Sequence, residues 1–191
     1  KCGYLNRCCV KYFGDYIMAG TLSVQKIQGL ATSATPTTVE IASGHVLNAP
    51  GHVIQTVYDS IITPESTSST SYVNTSLAAT ITPTSSSSKI LVTVNAAIYA
   101  NGLGTHAITS IFRGDVSGTD LGNGTYGIGS AYNGSGGAAN KNTVCCSILD
   151  SPNTTSATTY TVAIKKSGGS YACHLSVNSE RSTIVLQEIA Q

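Results

Sequence analysis

Asp115 and Asp120, in the stretch RGDVSGTDLGNG, are the two carboxylates of this chain that lie close together among turn residues. Acid–base catalysis needs two positioned groups in contrasting environments, and glycoside hydrolysis generally uses a carboxyl pair. The other carboxylates do not supply one. Glu40, Asp59, Glu65, Asp150 and Glu180 stand singly among polar residues, Glu188 lies in the last strand pattern, and Asp15 falls in the leader. As calcium ligands Asp115 and Asp120 have too few neighbouring oxygens for a complete loop, and as turn residues they need no further role. His45, His52, His106 and His174 show neither HxH nor HExxH spacing. No serine stands in GxSxG, and no glycine pattern follows a strand to open a helix. The expectation is a non-enzymatic protein without cofactor or metal, Asp115 and Asp120 being its one calcium candidate.

A different chemistry is written between residues 102 and 137, which hold 11 of the 19 glycines and embed Tyr126 and Tyr132 among Asn123, Ser130 and Asn133. A tyrosine ring covers apolar C–H surface while amides and hydroxyls pair with sugar hydroxyls, so this set suits carbohydrate. The same stretch also reads as an ordinary loop or a short extra strand. Arg113-Gly114-Asp115 matches an integrin-binding tripeptide but equally marks a strand running into a turn. Asn-x-Ser/Thr sequons begin at Asn74, Asn123, Asn133 and Asn153. They define a second reading, an extracellular jelly-roll binding module of the complement or tumour-necrosis-factor type.

The elements that would position these residues are strands. From residue 51 onward the apolar period is two, in HVIQTVY (52–58), YVNTSLAATI (72–81), KILVTVNAAIY (89–99), HAITSIF (106–112), TVCCSIL (143–149), TYTVAIK (159–165), YACHLSV (171–177) and STIVLQEI (182–189). Ser, Gly, Pro, Asn or Asp clusters bound each one, and β-branched residues are frequent. In TITPTSSSSKI, Pro83 ends a strand, Ser85 to Ser88 make a solvated turn, and Ile90, Val92 and Val94 share the next strand's face. Eight such strands predict an all-β fold, an antiparallel jelly-roll-like β-sandwich head over 51–191.

Residues 18–50 carry only TLSVQKI and TTVEIASGHVL, with no hairpin signal to join them. A two-stranded piece is marginal in water, so this stretch reads as a short β-rich stalk whose missing faces come from other copies in a closed ring such as a homotrimer. Residues 1–17 hold three of the six cysteines and none of the 50 Ser and Thr, a break that marks them as a leader outside the fold. The remaining Cys145, Cys146 and Cys173 are odd in number and lack CxxC spacing. They are either small apolar side chains of a reduced protein or contain one bridge from Cys145 or Cys146 to Cys173.

Only 10% of residues are charged and the net charge is +1. That leaves no basic patch for nucleic acid or anionic lipid, and no apolar run approaches the roughly 20 residues of a membrane-spanning helix. The strings MAGTLSVQKIQG, GHVIQTVYDS, TITPTSSSSKILVTVNA, DSPNTTSATTYTVAIKKSGG and STIVLQEI resemble tail-fibre and related virion structural proteins of tailed, especially marine, bacteriophages. The resemblance implies a homotrimeric appendage of the phage particle, assembled in the bacterial cytoplasm. It implies other virion proteins as partners and a head that touches a host-surface glycan or protein. Removing residues 1–17 should leave the thermal transition unchanged in a circular-dichroism melt; a large drop would show that the leader belongs to the fold.

Overall fold

The computed structural model describes residues 49–134 and 139–191; the expected leader (1–17) and all but the last two residues of the expected stalk (18–50) lie outside them. The described residues form strands β1 (Val53–Ile61), β2 (Glu65–Thr67), β3 (Val73–Ile81), β4 (Lys89–Ala100), β5 (His106–Arg113), β6 (Thr119–Asp120), β7 (Gly129–Tyr132), β8 (Asn140–Asp150), β9 (Thr158–Ser167), β10 (Cys173–Leu175) and β11 (Ser182–Ile189). A 3-10 turn spans Val177–Ser179, and no α-helix occurs among the described residues. The two antiparallel sheets of a sandwich result: β1-β11-β4 with β8 on the far edge of β4 and β10-β2 beside its upper end, and β3-β9-β5 with β6 and β7 beside β5.

The pairing explains the topology. β1 pairs β11, β3 pairs β9, β4 pairs β8 and β5 pairs β7, all antiparallel. First strand thus meets last, and so inward, as in one long hairpin rolled up so that the β1–β11 and β4–β8 rungs fall in one sheet and the β3–β9 and β5–β7 rungs in the other. That is a jelly roll, as the strand spacing implies. β2 goes unforeseen, and β6 and β7 fall where the sequence left a loop or a short extra strand open, because runs of two to four residues are too short to show alternation. The seventh expected strand, YACHLSV, is shorter than its pattern: only Cys173–Leu175 pairs, and the chain turns at Ser176, Asn178 and Ser179, all at positive φ.

The core follows the period of two. Ile90, Val92, Val94, Ala96, Ile98 and Ala100 of β4 are buried, and they meet Leu77, Ile81, Ile111, Tyr160, Val162 and Ile164 from the facing sheet. Residues of the opposite parity, Leu91, Thr93 and Asn95, point outward with Tyr58, Val185 and Leu149.

The serine-rich turn is more than punctuation. Ser85 to Ser87 are exposed, but Ser88 is buried beside the fully buried Glu188 of β11. The Glu188 carboxylate accepts from Thr84 N (2.7 Å), Thr84 Oγ1 (2.8 Å) and Gln55 Nε2 (2.6 Å). Burial by itself would raise this carboxyl, yet the hydrogen bonds from Gln55 and Thr84 outweigh it and hold it below its ordinary value. A carboxyl lowered on folding stabilises the fold above its unfolded value and loses that contribution as pH falls through the folded one. Glu188→Gln should therefore cost about 1–3 kcal/mol at neutral pH in urea denaturation, and should flatten the fall in stability that the parent shows below about pH 5.

Candidate functional site

The outer face of the smaller sheet carries a cluster of rings built from β5, β7 and the turn between β6 and β7. His106 opens β5 directly opposite Tyr132 of β7. Its ring lies 5.0 Å from that of Tyr132 and 5.5 Å from that of Tyr126, centre to centre. His106 Nε2 and Ser130 Oγ are 3.0 Å apart. Tyr126 and Tyr132 remain 56% and 53% exposed, so both present ring surface to solvent around a half-buried histidine. Tyr126, Ser130 and Tyr132 are thus brought together as the sequence suggests. His106 is the member that motif reading missed, and its only signal was its place on one strand face with Ile108 and Ser110.

The turn that carries Tyr126 is fixed by local chemistry. Asn123 and Gly127 exchange backbone hydrogen bonds, and Asn123 Oδ1 accepts from Thr125 N (2.8 Å) and Tyr126 N (3.4 Å). Lys165 Nζ donates to Gly124 O (2.7 Å) while lying 4.2 Å from the centre of the Tyr72 ring. Burial first, then the Asp120 carboxylate, push the Tyr72 phenol up to about 12, so it stays protonated beneath the turn. Gly127 sits at φ +60°, and a Cβ there would meet Thr109 O and its carbonyl carbon.

Two residues expected in the binding set have other positions. Asn123 uses its amide oxygen within its own turn. Asn133 is 3% exposed, and its backbone joins the 102–105 loop through Thr105 O (3.0 Å) and Gly104 N (2.6 Å). The reason is parity: residues next to each other on a strand face opposite ways, so with Tyr132 outside, Asn133 lies inside.

The two aspartates are each held within their own turns. Asp115 Oδ1 accepts from Ser117 N (2.8 Å) and Ser117 Oγ (2.6 Å), which hold its carboxyl below the ordinary value. Asp120 Oδ1 accepts from Ser110 Oγ and from Gly122 N (2.9 Å). No group of three His, Cys, Asp or Glu with metal-holding geometry occurs among the described residues. The Arg-Gly-Asp match dissolves as well, because Arg113 is ion-paired to Asp150 (3.2 Å) and bonds Ser151 O (3.1 Å), while Asp150 also accepts from Tyr160 Oη (2.7 Å). Of the sequons, Asn133 is buried and Asn74 Oδ1 accepts from Val116 N (3.0 Å).

The cysteines are settled by register. Cys145 faces Asn95 of β4, whereas Cys173 faces Ala100 of the same strand. Five residues along a strand is about 17 Å, beyond the reach of any bridge, and the same holds for Cys146 opposite Val94. All three are free thiols. Burial pushes the Cys173 thiol up to about 11, which leaves it protonated and inert.

No family model matches the chain, and no curated protein matches it. Among solved structures it is similar to the VP2 protein of infectious bursal disease virus in T=1 particles (12% identity, TM-score 0.39, covering 86% of this chain and 41% of that one). It is also similar to the structure of the Gt strain of that virus (12%, TM-score 0.40, 83% and 47%) and to a VP2 subviral particle (12%, TM-score 0.40, 80% and 42%). The chain spans less than half the length of these proteins. At these identities and scores the likeness assigns neither a family nor an activity.

Gly127→Ala should destabilise the domain by more than about 1 kcal/mol, as a Cβ does where φ is positive and backbone is close. It should also release Tyr126 from His106, seen as loss of the ring-current shift on the imidazole protons.

Proposed function

We propose that this protein is a non-enzymatic structural component of a virion, a tail-fibre-like appendage of homotrimeric assembly whose jelly-roll head meets the host surface through a glycan. The observation that carries the contact is the cluster of His106, Tyr126 and Tyr132. The two tyrosine rings each lie within 5.5 Å of the His106 ring, and both are more than half exposed. Exposed rings in one place remove apolar surface from water only when a partner covers them, and the C–H face of a pyranose fits that need. The Ser130 hydroxyl beside His106 supplies a polar partner for sugar hydroxyls.

The virion role rests on the phage-like sequence strings and is consistent with the jelly roll, an architecture that serves both viral capsids and lectins. Assembly as a trimer adds avidity: weak single sites engaged together gain about 10²–10⁴ in apparent affinity when geometry permits. The partners are further copies of the chain, other virion proteins and the host glycan.

Tyr126→Ala with Tyr132→Ala should abolish binding to host cells and to a host-polysaccharide array. Stability should change by no more than about 0.5 kcal/mol per site, because both side chains are exposed. Unaltered adsorption by a folded double variant would remove the glycan reading.

A further inference from the structure

Among the described residues the sheet edges are guarded by geometry, with one exception. β1 is bulged between Val53 and Gln55 and carries Asp59, and β3 is bulged between Asn74 and Ala78. β2 and β6 span three and two residues. β7 spans four, and its Ser130 and Tyr132 carbonyls are capped by the Asn142 and Asn140 amides (3.1 and 2.8 Å). Short strands, bulges and charges are the usual means of keeping edges from pairing with other chains.

β8 has none of these over its lower part. Its eleven residues run opposite β4 in unbroken register from Asn140↔Ala100 to Asp150↔Ile90. From Asn142 to Leu149 it carries no charge and no proline. The charges that bound this run are already paired, Lys141 with Glu180 (3.1 Å) and Asp150 with Arg113. Among the described residues no strand pairs its far edge. Cys146 and Ile148, which point toward the core, are consequently only half-buried, and Leu149 on the outer side is 53% exposed.

We propose that the free edge of β8 is a self-association site, at which residues 143–149 pair antiparallel with β8 of a second copy about a two-fold axis through Cys146. In such a contact every residue meets the same stretch of its own sequence. Opposed side chains must point to one face, so Thr143 meets Leu149 and Cys145 meets Ser147 outside, while Val144 meets Ile148 and the two Cys146 meet inside. Like charges placed opposite one another destabilise a pair, and this segment has none. A second β8 thus satisfies the outward backbone groups and covers the half-buried apolar side chains at once. The two-fold contact goes beyond the threefold assembly proposed above and would join heads of separate trimers.

The experiment is sedimentation equilibrium on the full chain at tens of micromolar, for the parent, Ser147→Lys, Cys145→Lys and Gln187→Lys, with thermal melts to verify folding. Ser147 and Cys145 are exposed on β8, whereas Gln187 lies on the same outer sheet face but on β11. The expected result is a mass halved by Ser147→Lys and Cys145→Lys and unchanged by Gln187→Lys. A doubled trimer falling to a trimer supports both contacts; a dimer falling to a monomer keeps the β8 edge and removes the threefold one. A parent mass that neither β8 substitution lowers overturns the proposal, as does an equal response to Gln187→Lys, which would mark a face-to-face contact instead.

Discussion

The register of β4 is the constraint on which the rest of the domain depends. It pairs along one edge with β8 and along the other with β11 below and β10 above, so its parity is imposed on every strand of the larger sheet. A slip by one residue would turn Ile90, Val92, Val94 and Ile98 outward together. At roughly 25 cal/mol per Å² of apolar area, no rearrangement of a chain with so few aromatics would replace that loss. The same register sends Cys145 outward and Asn140 and Asn142 toward β7, which is how the order of the larger sheet reaches the ring cluster on the smaller one.

Buried polar groups secure the ends of the sandwich where apolar packing gives out. Glu188 ties the start of β1, the turn after β3 and the end of β11 through Gln55 and Thr84. At another corner Asp150 collects Arg113 and Tyr160, linking the end of β8 to β5 and β9. A third link is Ser182 Oγ, which accepts from Ser176 Oγ (2.8 Å) and Ala97 N (3.0 Å) and so stitches the turn before β11 to β4. Each of these acceptors would cost free energy if its donors were removed, because a buried polar atom left unpaired loses its water without replacement.

What could be read from the chain and what could not follow from the range of each interaction. The seven long strands and the place of β10 were legible because alternation is local, and so was the jelly roll, since the spacing of the turns limits how strands can stack. β2 was not, and β6 and β7 stayed open between loop and short strand; β7 matters most because it carries Ser130 and Tyr132. Tyr126 and Tyr132 were found from residue type. His106 was not, because it stands 20 residues from Tyr126 and only the β5–β7 pairing brings them together. Asn133 was misplaced although alternation from Tyr132 would have turned it inward. The Glu188 network joins residues 104 and 133 positions apart, and no window along the sequence spans such a distance.

Scarcity of charge connects the two surfaces argued to make contacts. With only 10% of residues charged, this domain has few Lys or Glu to place along strands, so protection from unwanted pairing falls to bulges, short strands and side-chain caps. Such devices act one edge at a time. β8 cannot use a bulge without breaking the unshifted register that fixes Asn140 and Asn142 against β7, because an extra residue would reverse the parity of everything beyond it. The strand that props the ring cluster at its upper end is thereby obliged to stay straight, and its uncharged lower part leaves an edge that no strand pairs among the described residues.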